Sequence, residues 1–221
     1  MSLKDKLLIF LVPIILGIIS SFSLPPYDFF FINFITYPLF LVFFISKCNK
    51  GKIVSFLIGW IYGFGYFISS LYWLTHSLTF EEFFKPLIPF ALILIPLFLG
   101  IFYGLATLCC SVFKLSYKIS SILIFSTIIG SIEYIRGFIL GGFPWNLIIF
   151  SLTEYLPMIQ ILSLIGTYSL NLIIISFFLI PSVVFFNYKI KQKLIFIFST
   201  LILLIFNYLY GSSLIKKDYT A

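Results

Sequence analysis

Long apolar segments separated by short polar turns are the feature that most constrains how this sequence can fold. A helix needs about 20 mainly apolar residues to cross the hydrocarbon core of a bilayer. Seven segments approach or exceed that length, and they cover residues 7–24, 29–46, 53–74, 87–110, 119–140, 157–186 and 194–210. The sequence therefore predicts an all-α fold, a polytopic bundle of about seven transmembrane helices.

The composition excludes a water-soluble domain. Hydrophobic residues make up 62% of the chain and charged residues only 10%, whereas soluble domains carry roughly 25% charged residues. The formal net charge of +7 could suggest a nucleic-acid partner. We reject that class because the cations lie in short clusters between apolar segments, as topology signals do.

Three of the apolar segments are irregular. Residues 157–186 exceed one span, so we expect this segment to be tilted or interrupted near Pro181. Residues 29–46 are short and closely follow Pro25-Pro26, which allows a partly interfacial position. The first segment resembles a signal peptide, but six further apolar segments favour a retained helix.

The cations predict the orientation of the bundle. Ten of the fourteen basic residues fall on one side of the seven spans. They are Lys4, Lys6, Lys47, Lys50, Lys52, Lys114, Lys118, Lys189, Lys191 and Lys193. Positive charges mark the cytoplasmic loops of membrane proteins, so we expect a cytoplasmic N-terminus and a C-terminus on the opposite side.

Residues 133–146 carry the most informative motif, EYIRGFILGGFPWN. An ionisable residue inside a membrane span costs roughly 3 kcal/mol on insertion scales. Glu133 and Arg136 lie at positions i and i+3, on one helix face, where they can neutralise each other. We expect Gly141-Gly142 to break the helix before a turn through Phe143, Pro144, Trp145 and Asn146.

For other residues that could bind a ligand or take part in catalysis, the sequence favours structural roles. Gly59 and Gly63 form a G-x-x-x-G pattern, which predicts close helix packing rather than ligand contact. Cys109 and Cys110 are adjacent, so a mutual disulfide would be strained. The cysteines and His76 match no metal or nucleophile pattern, and we therefore expect no metal and no cofactor.

Four separated stretches resemble the membrane domain of apolipoprotein N-acyltransferases. They are E-x-x-R-G with G-F-P-W-N from Glu133 to Asn146, FSLPPY at 22–27, GFGYF at 63–67 with Tyr72-Trp73, and MIQ…GTYSLN at 158–171. They occur in family order, and the resemblance covers about residues 10–185. It implies a multi-pass protein of the bacterial inner membrane that takes part in lipoprotein biosynthesis.

The resemblance also implies substrates and a site. Members of this family move an acyl chain from a phospholipid to the N-terminal cysteine of a bacterial apolipoprotein. The residues expected near these substrates are Glu133, Arg136, Gly142, Phe143, Pro144, Trp145, Asn146, Tyr72 and Trp73. Locking the end of the fifth span is an equally weighted role for Arg136, and an interfacial belt is the default role for Tyr72-Trp73.

The family places its catalytic Cys, Glu and Lys on a nitrilase-like domain after the seventh span. We assign residues 1–210 to the bundle and residues 211–221 to a periplasmic tail where that domain would begin. Because the sequence ends at Ala221, we expect no catalytic residue in it, and we expect the chain to be inactive by itself.

Three hypotheses follow. The first is a truncated or split acyltransferase, possibly completed by a separately encoded nitrilase-like half. The second is a non-enzymatic membrane scaffold or lipid-binding module left from the family. The third is a small transporter, which ranks last because the paired broken helices of two repeated halves are not apparent in the sequence.

Overall fold

The computed structural model describes residues 2–139, 142 and 144–218, and these residues form helices and turns without any strand. The described α-helices are α1 (Leu3–Ser21), α2 (Asn33–Lys47), α3 (Lys52–Ser70), α4 (Ile88–Val112), α5 (Ile119–Arg136), α6 (Leu156–Ile159), α7 (Leu162–Ile165), α8 (Thr167–Phe178) and α9 (Ile190–Asp218). Short 3-10 helices connect them at Phe30–Ile32, Cys48–Lys50, Tyr72–Thr79, Glu82–Leu87, Ile148–Leu152 and Ile180–Phe185.

Six helical segments within the described residues are long and apolar enough to cross a membrane. They are Phe30–Lys50, Lys52–Ser70, Glu82–Val112, Ile119–Arg136, Thr167–Phe185 and Ile190–Ile215. The predicted all-α membrane bundle is therefore confirmed. Helix α1 has 19 residues, but its first turn carries Lys4, Asp5 and Lys6, and its role as a seventh span stays a prediction.

The segment predicted over residues 157–186 is interrupted. It consists of α6, α7 and α8 followed by the 3-10 helix Ile180–Phe185, which contains Pro181. An interruption near Pro181 was one of the two predicted alternatives, because proline lacks the N–H that continues an α-helix. The earlier break at Gly166, which adopts a φ of 78°, was not predicted.

Helix α5 ends earlier than predicted. The sequence suggested a break at Gly141-Gly142, but α5 ends at Arg136. The Gly137 N–H donates to the carbonyl oxygens of Glu133 (3.1 Å) and Tyr134 (3.0 Å). A Cβ at Gly137 would overlap the hydroxyl of Tyr168 on α8. Close approach of α8 to Gly137 therefore sets the place of the bend, and no sequence signal distinguished this glycine from the later pair.

Glycines let α3 pack directly on α4. A Cβ at Gly59 would overlap the carbonyl oxygen of Tyr103, and a Cβ at Gly63 would lie 2.9 Å from the Cα of Gly100. The predicted packing role of the G-x-x-x-G pattern is therefore confirmed. Since residue 59 faces residue 103 and residue 63 faces residue 100, the two helices run antiparallel.

Aromatic side chains fill the centre of the bundle between α2, α3 and α5. The rings of Phe40 and Tyr62 stack with centroids 3.9 Å apart and an interplanar angle of 17°. Phe125 packs edge-on against Phe40 at 5.8 Å. All three rings are essentially inaccessible to solvent, which is how large aromatic surfaces dominate the packing energy of a core.

The segments that carry the ten clustered lysines, which we call the lysine-bearing segments, lie at one end of the bundle. Asp5 of α1 pairs with Lys47 (3.1 Å) and Lys50 (2.7 Å), and the Ile119 N–H donates to the Tyr188 hydroxyl (3.3 Å). Hydrogen bonds from Lys50 and Lys47 hold the pKa of Asp5 well below its usual range. These contacts join the segments in two groups, and the orientation of this end relative to a membrane stays a prediction.

The last helix contacts the rest of the bundle near its N-terminal end and again in its C-terminal half. The Lys193 ammonium donates to the carbonyl oxygen of Val184 (3.0 Å), and Asn207 Nδ2 donates to that of Met158 (2.9 Å). Helix α9 continues to Asp218, so residues 211–218 of the predicted tail are helical.

Candidate functional site

Glu133 lies at the centre of a buried polar cluster. Its side chain is only 1% exposed. One carboxylate oxygen accepts a hydrogen bond from the Tyr103 hydroxyl (2.7 Å), and the other accepts one from Asn171 Nδ2. The Asn171 Oδ1 in turn accepts from the Ile149 N–H (3.0 Å). Glu133 thereby joins α4, α5, α8 and the 3-10 helix Ile148–Leu152. This 3-10 helix follows the predicted turn through residues 142–146, which we call the GFPW turn and of which residues 142 and 144–146 are described. These contacts give the buried charge the partners that it requires.

Arg136 connects α5 to the GFPW turn. Its guanidinium is as buried as Glu133, at 1% exposure. Its Nη1 donates to the carbonyl oxygen of Trp145 (3.0 Å), and its Cζ lies 5.2 Å from the ring centroid of Phe67, a cation–π distance. Both charges lie on the buried face of α5 as predicted, but the hydrogen bonds described for the carboxylate come from other helices.

The end of α3 holds the GFPW turn in place. The Tyr66 hydroxyl donates to the carbonyl oxygen of Asn146 (3.0 Å), and Asn146 Nδ2 approaches the carbonyl oxygen of Ser70 (3.4 Å). Asn146 adopts a φ of 56° and Gly142 a φ of 82°, conformations that these two residue types tolerate. Pro144 is exposed, and Phe143 lies outside the described residues.

Two exposed tryptophans pair across this turn. The ring centroids of Trp73 and Trp145 are 5.4 Å apart, and 46% and 43% of these residues are exposed. Tyr72 is similarly exposed, at 43%. The structure therefore brings together Trp73 and Trp145, which sequence reasoning named separately, and places Tyr72 beside them.

Open apolar grooves lie on two sides of the turn. One has a volume of about 370 Å³ and runs along α4, with Arg136, Ile139 and Gly142 forming its other wall. The second, of about 430 Å³, is lined by Leu24, Pro25, Ser70, Trp73, Trp145, Asn146, Phe150 and Thr153. Apolar walls beside a guanidinium suit a hydrocarbon chain that carries an anionic group.

The described residues provide no alternative chemical centre. They contain no group of three or more His, Cys, Asp or Glu side chains that could hold a metal ion. Cys110 is buried, whereas Cys109 is exposed, and both are free thiols. His76 is exposed within the 3-10 helix Tyr72–Thr79.

Sequence reasoning missed two residues of the polar cluster. Asn171 belongs to the GTYSLN stretch, but that stretch gave no sign that its amide would meet Glu133. Tyr103 lies between Gly100 and Gly104 in the fourth apolar segment. Its hydroxyl, one of two in that apolar segment with Thr107, is the available signal, because a buried hydroxyl needs a hydrogen-bond partner.

Comparison with known proteins identifies the family of this sequence. The profile of the apolipoprotein N-acyltransferase N-terminal domain matches residues 16–180. An apolipoprotein N-acyltransferase of Rhodopseudomonas palustris is 31% identical over 179 residues, which cover 78% of this chain and 33% of the relative. One of Rhizobium etli is 34% identical over 175 residues, covering 75% of this chain and 32% of the relative.

The chain spans about a third of the length of the curated relatives it matches. The matched residues include all four stretches that carry the resemblance, and these stretches meet around Glu133 and the GFPW turn. The chain therefore belongs to the apolipoprotein N-acyltransferase family, and it corresponds to the N-terminal membrane domain of that family.

Proposed function

We propose that this chain is the membrane portion of an apolipoprotein N-acyltransferase and binds its phospholipid acyl donor at the GFPW turn. One observation carries the proposal. Side chains from separate family stretches converge on one end of the bundle, through Tyr66 and Asn146, Trp73 and Trp145, and Asn171 and Glu133. Apolar grooves open on both sides of that point.

Within this proposal, each group has a physical role. The exposed rings of Trp73 and Trp145 lie at the membrane–water interface, where indoles settle, and contact the glycerol region of the lipid. The groove along α4 takes an acyl chain. Arg136 orients the turn through its hydrogen bond to the Trp145 carbonyl oxygen, so it is a positioning residue that also favours an anionic headgroup electrostatically.

The covalent step belongs to other groups. Acyl transfer needs an activated nucleophile, a base and a charge stabiliser, which the family resemblance assigns to a nitrilase-like domain. We propose that such a domain, separately encoded, acts with this chain on phospholipid and apolipoprotein in the bacterial inner membrane. The alternative is a scaffold or lipid-binding module without acyl transfer, favoured by the absence of any activated nucleophile among the described residues.

A coexpression experiment tests the proposal. Cells depleted of their own enzyme would express this chain together with the remaining part of the Rhizobium etli relative. We expect an N-acylated lipoprotein, detected by mass spectrometry, only when both parts are present. If the full relative restores acylation but the two parts together do not, the enzymatic proposal is wrong and the scaffold alternative gains support.

We also propose a cytoplasmic N-terminus and a periplasmic C-terminal tail at residues 211–221. Support comes from the lysine-bearing segments, which meet at the end opposite the paired tryptophans. Labelling single cysteines in intact cells with a membrane-impermeant reagent tests the orientation. A cysteine replacing Trp145 should react, and one replacing Lys52 should not.

A further inference from the structure

The lysine-bearing end of the bundle has two halves that differ in their charge balance. In one half, Asp5 pairs with Lys47 and Lys50. The other half contains five lysines from two segments, Lys114, Lys118, Lys189, Lys191 and Lys193, which we call the lysine patch. Contacts hold these segments together, since the Ile119 N–H donates to the Tyr188 hydroxyl and Tyr117 packs against Phe186 at 6.2 Å.

The lysine patch lacks internal counter-charges. Residues 113–119 and 184–195 contain no Asp or Glu, and Asp5 is the only acidic residue among residues 2–6, 47–52, 113–119 and 184–195. The ion pairs between described residues involve Asp5 and Glu82. Lys114, Lys118, Lys189 and Lys191 are all exposed. Their charges are therefore available to an anionic partner.

An apolar cleft begins directly below the lysine patch. It has a volume of about 460 Å³ and separates α9 from α5 and α8. Its lining includes Ile122, Leu123, Leu170, Phe177, Phe196 and Leu203. Ile122 follows Lys118 by one helical turn, and Phe196 follows Lys193 by about one turn, so the patch lies about one helical turn from the nearest residues of the cleft.

The length and polarity of this cleft fit one hydrocarbon chain. Its α9 wall extends from Phe196 to Asn207, which at 1.5 Å per residue is about 16 Å. The lining hydroxyls are occupied locally, since Ser199 and Thr200 both donate to the carbonyl oxygen of Phe196. Apolar walls lose dispersion contacts when nothing fills the space between them.

We infer that the α9 cleft and the lysine patch form a binding site for an anionic phospholipid. One acyl chain fills the cleft, and the phosphate-bearing headgroup lies on the lysines. Basic groups beside transmembrane helices attract anionic lipids in this way. The site lies at the opposite end of the bundle from the GFPW turn, so its lipid is bound rather than consumed and does not depend on the proposed acyl transfer.

Native mass spectrometry of the detergent-purified full chain tests this inference. The probes are phosphatidylglycerol and phosphatidylcholine with identical acyl chains. The patch variant replaces Lys114, Lys118 and Lys189 with Gln. The control variant replaces Lys4, Lys6 and Lys52 with Gln, which removes the same number of positive charges at the same end of the bundle. Each lysine near an anionic lipid is worth about a fivefold change in affinity.

We expect phosphatidylglycerol to bind the wild-type chain at least about tenfold more tightly than phosphatidylcholine, and added salt to reduce the difference. The patch variant should lose most of this preference, and the control variant should keep it. Equal binding of the two lipids to the wild-type chain, or equal losses in the two variants, would overturn the inference. The wild-type comparison remains decisive if a variant fails to fold.

A second pair of variants tests the cleft itself. Thr200→Trp places an indole in the cleft, whereas Ile202→Trp places one on a side of α9 that is 64% exposed. We expect Thr200→Trp to weaken phosphatidylglycerol binding about tenfold and Ile202→Trp to leave it unchanged. Equal affinities in these two variants would show that the acyl chain lies elsewhere.

Discussion

At the scale of single residues, Glu133 determines how the end of the bundle with the GFPW turn is assembled. Its two carboxylate oxygens accept hydrogen bonds from α4 and α8, while the neighbouring Arg136 reaches the GFPW turn. A carboxylate in this position supplies acceptors in two directions. Glu133 and Arg136, the charged pair that resembles the family motif, therefore also have a structural role. This role is compatible with both functions considered for Arg136, which are substrate contact and locking the end of the fifth span.

Substitutions of Glu133 should separate hydrogen bonding from charge. Glu133→Ala leaves the Tyr103 hydroxyl and the Asn171 amide without their acceptor and removes the negative charge beside the buried Arg136, and we expect a loss of about 3 to 5 kcal/mol in stability. Glu133→Gln retains one acceptor oxygen and should cost less. Thermal unfolding in detergent micelles, followed by circular dichroism, measures the order. Equal losses would show that charge alone matters.

Sequence reasoning reached some of this site but not all of it. Glu133, Arg136 and Trp145 could be named in advance because their signals are local. The first two form an E-x-x-R pair inside an apolar segment, and Trp145 follows a proline at the end of that segment. Asn171 and Tyr103 could not be assigned as partners of Glu133, because their contacts depend on how α4 and α8 approach α5. The spacing of residues within one segment does not predict how α4 or α8 packs against α5.

At the scale of helices, glycine-mediated packing of α3 on α4 fixes the geometry that the site needs. Helix α3 supplies Tyr66 and Ser70 to the GFPW turn and leads directly into Trp73. The position of α3 depends on Gly59 and Gly63 fitting against α4. A shift between these helices would therefore move the tryptophan pair as well.

Gly59→Ala tests this dependence. The added methyl group would overlap the Tyr103 carbonyl oxygen, and backbone cannot move as a side chain can, so we expect a loss of about 1 to 3 kcal/mol. Gly130→Ala is the matched control, since its Cβ would lie 3.0 Å from the nearest side-chain atom of Leu172 and 3.3 Å from the Leu172 Cα, without overlapping any backbone atom. Unfolding temperatures that fall equally in both variants would contradict this account.

The contact between α1 and the end of α2 should depend on pH. Lys50 and Lys47 lower the pKa of Asp5, so the ionised carboxylate stabilises the folded state. This contribution is fully present above the ordinary Asp pKa of about 3.9 and is lost as pH falls further toward the lowered value. Because Asp5 is partly exposed, the contribution is small.

Asp5→Asn should therefore lower the unfolding temperature slightly at neutral pH, and the difference from the wild-type chain should shrink as the pH decreases below about 4. Unfolding scans of both proteins between neutral and acidic pH give the comparison. If the difference in unfolding temperature grows as the pH is lowered, the ion pair of Asp5 with Lys47 and Lys50 does not stabilise the folded state as described.

Element positions were predictable where a long apolar run had clear ends, and less so elsewhere. Helix α4 begins and ends within two residues of the predicted segment 87–110. The predicted ends at residues 74 and 140 were too late, because α3 stops at Ser70 and α5 at Arg136. Apolar residues continue past both ends, so hydropathy alone could not locate them.

At the scale of the whole molecule, the two ends of the bundle have different chemistry. One end carries lysines from separate loops, and the other carries the paired tryptophans, the GFPW turn and its grooves. Apolar length and charge distribution predicted this division. The convergence of distant stretches on one end required the folded structure, because only tertiary contacts bring residues 66 and 73 near residues 145 and 171.

The central claim is that the end with Trp73 and Trp145 binds a phospholipid. The most direct test reconstitutes the full chain in vesicles containing a photoactivatable phosphatidylethanolamine, followed by peptide mapping of the crosslinks. The account predicts labelling of the peptides around Trp73 and Trp145, reduced severalfold by Trp145→Ala but not by Tyr208→Ala, which removes a similarly exposed ring on α9. Labelling that avoids these peptides, or that is unchanged in Trp145→Ala, would contradict it.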